Sequence, residues 1–526
     1  MAGALCLVLH AHLPFVRHPE YPDFLEEDWL YEAITETYLP LLEVYEGLWR
    51  DGVDFRISMT LSPPLVEMLA DPLLQDRYAE RLGSLIQLAR EEQGRSEGER
   101  AALCAHYVAL WTRRLAQLEG YDRDLVGAFR LFMERGRLEI LTCGATHGFL
   151  PFMQDRPEAV RAQIEVAARA HARHFGRRPE GIWLPECAWY PGLDRVLAEA
   201  GLRWFIGEQH CVEHATPRPS RGVHAPVSTP YGVAVFARDP EVSQQVWSAE
   251  SGYPGHPAYR EFYRDLGYDA PFEHIAPYVQ PTGLRKMTGL KLHRITGKTD
   301  QKQLYDPAEA RRVAAEHADN FVFNRGLQVQ HLAGQLGHDP VVVAPYDAEL
   351  FGHWWYEGPM FLDVVLRKVA CDDVGFTLST PAEVLRANPE LELVQPHFST
   401  WGADGYGSVW LDPANEWIYP HLAEAADRMV ELAARFPQAA GLQARALNQA
   451  ARELLLAQSS DWAFIMKTGT SVDYAVARTR DHVLRFNALY DQLRAGQVDE
   501  PLLAAIEARD TIFPDIDYRV YAPPAA

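Results

Sequence analysis

Residues 181–192, GIWLPECAWYPG, read as a short buried strand from Gly181 to Pro185 that ends on a carboxylate, Glu186. A helical pattern resumes from Gly192 (LDRVLAEAGL). A carboxylate at the C-terminal tip of a strand, ahead of a βα loop, is where α/β barrels place their chemistry. Trp183, Trp189 and Tyr190 add flat apolar surface around it. Such a glutamate, taken alone, more often caps the following helix, so a catalytic reading requires a partner carboxylate elsewhere in the chain.

HDPVVVAPYDAELFGHWWYEGP (338–359) supplies that partner. PVVVAPY reads as a buried strand with Asp347 at its tip, and Glu349 follows two residues later. His353, Trp354, Trp355 and Tyr356 form the aromatic cluster beyond it. The first strand, ALCLVLHAH (4–12), is near-continuously apolar, as a strand buried on both faces must be. It ends in His10-x-His12, and residues i and i+2 share a face. Two imidazoles on one face can ligate a metal, hydrogen-bond a polar ligand, or serve the core.

Strand–helix alternation continues through FRISMTLSPPL (55–65), GRLEILTCGATHGFLP (136–151, with His147 just past its end) and GLRWFIGEQH (201–210). KLHRITG (291–297) has strand character and 306–334 is a strong helix. Asp28 fits an N-cap ahead of Trp29. Residues 66–135 read as almost unbroken helix, which is too much for one crossover and predicts a helical insertion. A long aromatic loop over 230–255, with Tyr231, Phe236, Trp247 and Tyr253, is a candidate lid. Alternation stops near 385. Helices then dominate to the end, and the Gly/Trp-rich loop before them offers Trp401, Trp410 and Trp417 to the barrel, with Asp461 also in reach.

Composition limits the partners. Net charge is −22 over 526 residues, which disfavours nucleic acid and anionic membrane. No run approaches 18 apolar residues, so no membrane span is expected. Thirteen Trp suit stacking on flat neutral ligands. Six scattered Cys without CxxC predict free thiols in a reducing, cytoplasmic compartment. Two strand-tip carboxylates, strand-tip histidines and Trp platforms, with no phosphate-binding Gly loop and no GxSxG, are the inventory of a glycoside-processing enzyme. Spacing alone does not say which carboxylate plays which role.

Five blocks in order, HAHLPF (10–15), GRLEILTCGATH (136–147), WLPECAWYPG (183–192), YDAELFGHWWYEGP (346–359) and STWG–VWL (399–411), resemble glycoside hydrolase family 57 over essentially the whole chain. ELFGHWW, VWS–GYPG–YREFYRD and SSDW look like the 1,4-α-glucan branching enzymes of that family. The resemblance implies an α/β fold: an incomplete (β/α)7 barrel (1–65 and 136–385), a helical insertion (66–135) and a C-terminal α-helical domain (386–526). It implies a retaining mechanism on α-glucan, with no cofactor and no metal. By motif, Glu186 becomes the nucleophile and Asp347, not Glu349, the acid/base. His10, His12 and His147 line the sugar site and Trp401 and Trp410 become platforms, while Trp355 and Asp461 join them as substrate-binding candidates from their own stretches. α-Amylase or 4-α-glucanotransferase activity is the alternative within the family, and oligomeric state stays open. One departure is Phe272 in APFEHIAPY, where the branching enzymes carry Trp, which puts one glucan-stacking subsite in question.

Overall fold

A computed structural model describes residues 3–247, 252–279 and 283–523. Seven parallel strands form its centre: β1 (Gly3–Ala11), β2 (Ile57–Leu61), β3 (Leu138–Leu141), β4 (Gly181–Trp183), β5 (Trp204–Gly207), β6 (Ala234–Ala237) and β7 (Val341–Asp347). Their spatial order is β7-β1-β2-β3-β4-β5-β6, so chain order and barrel order coincide. β3 meets β4 through a single bridge, Thr142 with Ile182. Between β6 and β7 there is no ladder among the described residues. The Asp239 N–H, just past β6, donates to Val343 O at 3.0 Å across that seam. The expected α/β architecture is therefore present, with its open side at β6/β7.

The period of two along each strand sorts the core. On β1, Cys6 and Val8 point into a cluster with Leu141, Trp183, Trp204, Ile206, Phe236, Val341 and Val343. Leu5, Leu7 and Leu9 face the surrounding helices. β7 repeats the pattern, with Val341 and Val343 inward and Val342 and Ala344 outward. Continuing the inward set by two residues on β1 and by four on β7 brings His10 and Asp347 into the barrel mouth. Those two residues are direct partners in the β1–β7 register. Gly181 opens β4 because the Trp204 ring lies where a side chain would go: a Cβ there would meet it at 2.2 Å.

Three helices, Pro72–Arg95, Gly98–Gly120 and Leu125–Glu134, follow β2 and occupy most of the stretch expected to be helical. The first two cover the irregular segment before residue 305, where Tyr107 OH donates to Lys291 O and Arg81 to Tyr278 O. Four local expectations need correction. KLHRITG makes only isolated bridges, because its residues pair one at a time with Arg260 and Leu304. Asp28 lies inside the helix Glu27–Ala33 rather than capping it, and its carboxylate pairs with Lys286 at 2.6 Å. The 230–255 stretch is not one loop: it contains β6 and the helix Pro240–Trp247. Phe236 is buried in the barrel core and Tyr231 lies before β6, at the end of the barrel away from the mouth. Residues 248–251 of the candidate lid lie outside the described residues. No described helix is long and apolar enough to cross a membrane.

After residue 417 the chain is helical: Ile418–Arg435, Gly441–Ala457, Ser460–Thr468, Val472–Ala495 and Glu500–Arg509. A buried ionic cluster joins them, with Glu453 to His482 at 2.7 Å and Arg485 to Asp510 at 2.8 Å. Two contacts dock these helices on the barrel mouth. The Ser460 N–H donates to His147 O at 3.1 Å, and Arg478 donates to Phe15 O at 3.2 Å.

Candidate active site

Glu186 sits one turn beyond β4, in a 3-10 turn entered through Pro185, with φ +62° and ψ +24°. A non-glycine residue held in the left-handed region is strained, and such strain concentrates at functional sites. The surroundings enforce it. The Trp401 N–H donates to Glu186 O at 2.9 Å, and the Trp401 indole Nε1–H donates to Glu186 Oε2 at 2.6 Å. Ser460 Oγ donates to Oε1 at 3.3 Å.

Behind Ser460 lies a chain of imidazoles. His147 Nδ1 is 2.8 Å from Ser460 Oγ, and His147 Nε2 is 3.1 Å from His10 Nε2. Burial, with each ring's neighbouring imidazole, holds His10 and His147 well below the ordinary histidine range, so both are neutral. Ser460 has a single hydroxyl proton. If that proton goes to Glu186, His147 Nδ1–H must donate to Ser460, and His10 Nε2–H must donate to His147. One tautomer pattern therefore links the rings into a donor chain that ends on Glu186. His10 Nδ1 then keeps a bare lone pair, consistent with its lack of a partner among the described residues. The ring lies flat on Trp183, centroids 4.5 Å apart and 6° between planes.

His12 stacks on His147 at 3.8 Å. Its Nδ1 meets Ser62 Oγ at 2.8 Å and its Nε2 meets both oxygens of Asp461 at 3.1 Å. Burial acts to raise the Asp461 carboxyl, but His12 outweighs it and holds the pKa at about 2. Asp461 is a fixed anion. Asp347 differs from Glu186 in kind: no protein donor reaches its side chain among the described residues. Burial pushes it up to about 7, against the pull of His12 and Arg238. Glu186 is pushed to about 8, again by burial first, with Asp461 and Asp347 adding and Trp401 and Ser460 opposing. Glu349 is also raised to about 8 by burial and accepts from Tyr38 OH at 2.5 Å.

The site therefore gathers Glu186, Asp347, His10, His12, His147, Trp401 and Asp461. Two expected platforms fall outside it. Trp355 is 1 % exposed, packed among Tyr259, Phe351 and Phe361. Trp410 is 2 % exposed and stacks on Phe149. Neither presents a ring face to a sugar, because both fill core volume. Trp354, next in sequence to Trp355, is 54 % exposed and stacks on Phe262. Ser460 and Ser62 have no counterpart among the expected site residues, whereas Trp183, expected beside Glu186, lies flat against His10. Only the SSDW block carried a signal for Ser460.

A metal reading has a geometric basis. His12, His147 and Asp461 offer ligand atoms within 4.8 Å of one another, as do His10, Cys143 and His147. In the first group, however, each polar atom already has a protein partner. In the second, burial raises the Cys143 thiol well above its ordinary range, so it is no thiolate. The arrangement reads as a hydrogen-bonded stack.

Trp401→Phe keeps the ring and deletes the donor to Glu186. We expect kcat to fall about ten- to a hundredfold, the worth of a charge-assisted hydrogen bond, with thermal stability little changed. Steady-state kinetics beside a melting curve measure this, and an unchanged kcat contradicts the role given to the indole.

The sequence model of glycosyl hydrolase family 57 matches residues 6–396, and that of the 1,4-alpha-glucan branching enzyme C-terminal region matches residues 421–521. A protein named 1,4-alpha-glucan branching enzyme TK1436, from Thermococcus kodakarensis, is 35 % identical over 98 % of this chain and 78 % of its own length. Among solved structures, the alpha-amylase AmyC from Thermotoga maritima is 45 % identical, covers both chains fully and superposes with a TM-score of 0.94. The TK1436 structure, described as a GH57 branching enzyme in complex with glucose and additives, is 32 % identical with a TM-score of 0.90, covering 100 % of this chain and 97 % of that one.

Proposed function

The chain belongs to glycosyl hydrolase family 57, and from that membership we propose that it is a 1,4-α-glucan branching enzyme. It cuts an α-1,4 link and transfers the chain to a 6-hydroxyl by retaining double displacement. The observation that carries this reading is the 35 % identity to a named branching enzyme across nearly the whole chain. The match of residues 421–521 to the branching-enzyme C-terminal region supports it.

In this reading Glu186 attacks the anomeric carbon while Asp347 protonates the departing glycosidic oxygen. Asp347 then takes the proton of the incoming 6-hydroxyl as that oxygen displaces Glu186. Donor geometry supports the division of roles. Trp401 and Ser460 aim N–H and O–H groups at Glu186 and so favour its anion, whereas Asp347 has no such donors and is free to carry the proton. Both carboxyls are raised in the ligand-free site, so the pair titrates as a unit near neutrality. Asp461, an anion with lone pairs beyond its bonds to His12 and Ser459, accepts a sugar hydroxyl, and His12 holds it in place. Six free cysteines, five of them buried, fit a reducing cytoplasm, and the product fits glycogen synthesis.

Hydrolysis is the second reading, favoured by the 45 % identity to the alpha-amylase AmyC. Both reactions share the glucosyl–Glu186 ester and differ only in whether water or a glucan hydroxyl opens it. Incubation with amylose, followed by debranching and chain-length analysis, separates them. New α-1,6 links without a matching rise in reducing ends are expected. Reducing ends alone assign the protein to hydrolysis.

A further inference from the structure

Arg238 is the first residue past β6, and Glu208 the first past β5. Both lie at the barrel mouth, beside the strands that carry Glu186 and Asp347. Arg238 Nη1 donates to Glu208 Oε2 at 3.0 Å, with side chains 19 % and 13 % exposed. Its guanidinium carbon stands 5.6 Å from the centre of the Trp401 ring, the same ring whose N–H holds Glu186. Its Nε–H is buried without a partner among the described residues. An arginine placed this way has two faces of influence. It stacks on the Trp401 ring, and it stands at the open β6/β7 seam, where Asp239 N–H meets Val343 O of the strand ending in Asp347.

We propose that Arg238, held by Glu208, is a positioning residue of the proposed reaction: it braces Trp401 over Glu186 and presents a guanidinium charge to Asp347. The proposal rests on the assignment of Asp347 as acid/base. The ionisable groups whose charge couples to Asp347 are His12 from just past β1, Arg238 from just past β6, Glu186 from beyond β4 and Glu349 from its own loop, with the Cys187 thiol, kept neutral by burial, in the same space. Asp461 reaches the same space through Glu186. Of these, Arg238 is the one permanent cation, and Glu208 decides how much of its charge is spent locally. A guanidinium near Asp347 favours the carboxylate, so it makes Asp347 a stronger acid for the leaving oxygen and keeps it ionised, though less basic, for the incoming hydroxyl. It correspondingly limits the pH range in which Asp347 still holds a proton for the first.

The test compares the pH profile of kcat/KM on amylose for the wild type, Arg238→Gln, Arg238→Lys and Glu208→Gln. Removing the cation in Arg238→Gln should move the alkaline limb up by about half a pH unit or more, the low end of a neighbouring charge's effect. Freeing the cation in Glu208→Gln should move it down. Arg238→Lys should leave the limb in place yet lower kcat several-fold with little change in KM, because a compact ammonium does not stack as a planar fork does. Should one variant fail to fold, the other two still give limb and kcat readouts of the same two influences. Rates that fall equally at every pH with no limb displaced, or limbs of Arg238→Gln and Glu208→Gln moving the same way, overturn the proposal. Failure of the underlying assignment looks different: the wild type leaves amylose untouched, or Asp347→Asn keeps the wild-type alkaline limb.

Discussion

Replacing Glu186 by Gln or Asp347 by Asn is expected to lower turnover of amylose by about 10⁴-fold each, the usual loss when a nucleophile or its proton partner is removed. Truncation to Ala with added azide then tells the two apart. In Asp347→Ala the glucosyl–Glu186 ester forms slowly and lacks a base to activate its acceptor. Azide needs no base, so it displaces Glu186 directly and yields the α-glucosyl azide, with configuration retained. In Glu186→Ala the azide enters the vacated space, attacks the substrate itself as Asp347 protonates the leaving oxygen, and yields the inverted β-azide. Full activity of either single mutant sinks the catalytic pair. An exchange of the two azide products reverses the roles while leaving the pair intact.

The architecture of that pair was legible because barrel strands write their burial directly into sequence. ALCLVLHAH and PVVVAPYD are apolar on both faces up to the residue that leaves the core, so the strand tip announces itself. The i, i+2 rule likewise puts His10 and His12 on one face from the sequence alone. Aromatic side chains carry no comparable signal. Trp354 and Trp355 are neighbours, yet one is exposed and the other fills the core, and nothing in HWWYEG distinguishes them. Trp410 was misread for the same reason: a Gly-rich loop can fold its Trp inward as well as outward. Ser460 and Arg238 were invisible in a different way. Their roles come from partners 274 and 163 residues distant (Glu186 and Trp401), and no local pattern records such contacts. Phe236 shows the converse error. Short strands of four residues between loops do not span enough periods to declare themselves, and β6 was absorbed into a long aromatic loop.

Glu186→Gln should also make the ligand-free protein more stable, increasingly so from pH 5 to pH 8. The folded Glu186 carboxyl titrates at about 8, against an ordinary 4.5, so between those values the native state holds a proton that the unfolded chain has lost. Native stability due to this group is therefore full below pH 4.5 and drains away as pH rises through 8. Glutamine does not titrate and escapes the loss. By pH 8 the difference approaches the order of 3–5 kcal/mol, less whatever the Trp401 and Ser460 hydrogen bonds lose on meeting an amide. Asp347→Asn should behave alike with a midpoint nearer 7. Asp461 supplies the control of opposite sign. Its folded carboxyl sits near 2, below an ordinary 3.8, so its stabilisation is complete above that range and disappears only as pH falls toward 2. Asp461→Asn should then destabilise by an amount that stays constant between pH 5 and 8. Thermal melts of the three variants and wild type across that range measure all of this. A Glu186→Gln advantage that is flat or shrinking with pH contradicts a carboxyl held protonated by burial. It would equally remove the energetic reason why this pair, strained and desolvated before any sugar arrives, is poised to give up its proton when a glycosidic oxygen enters the mouth.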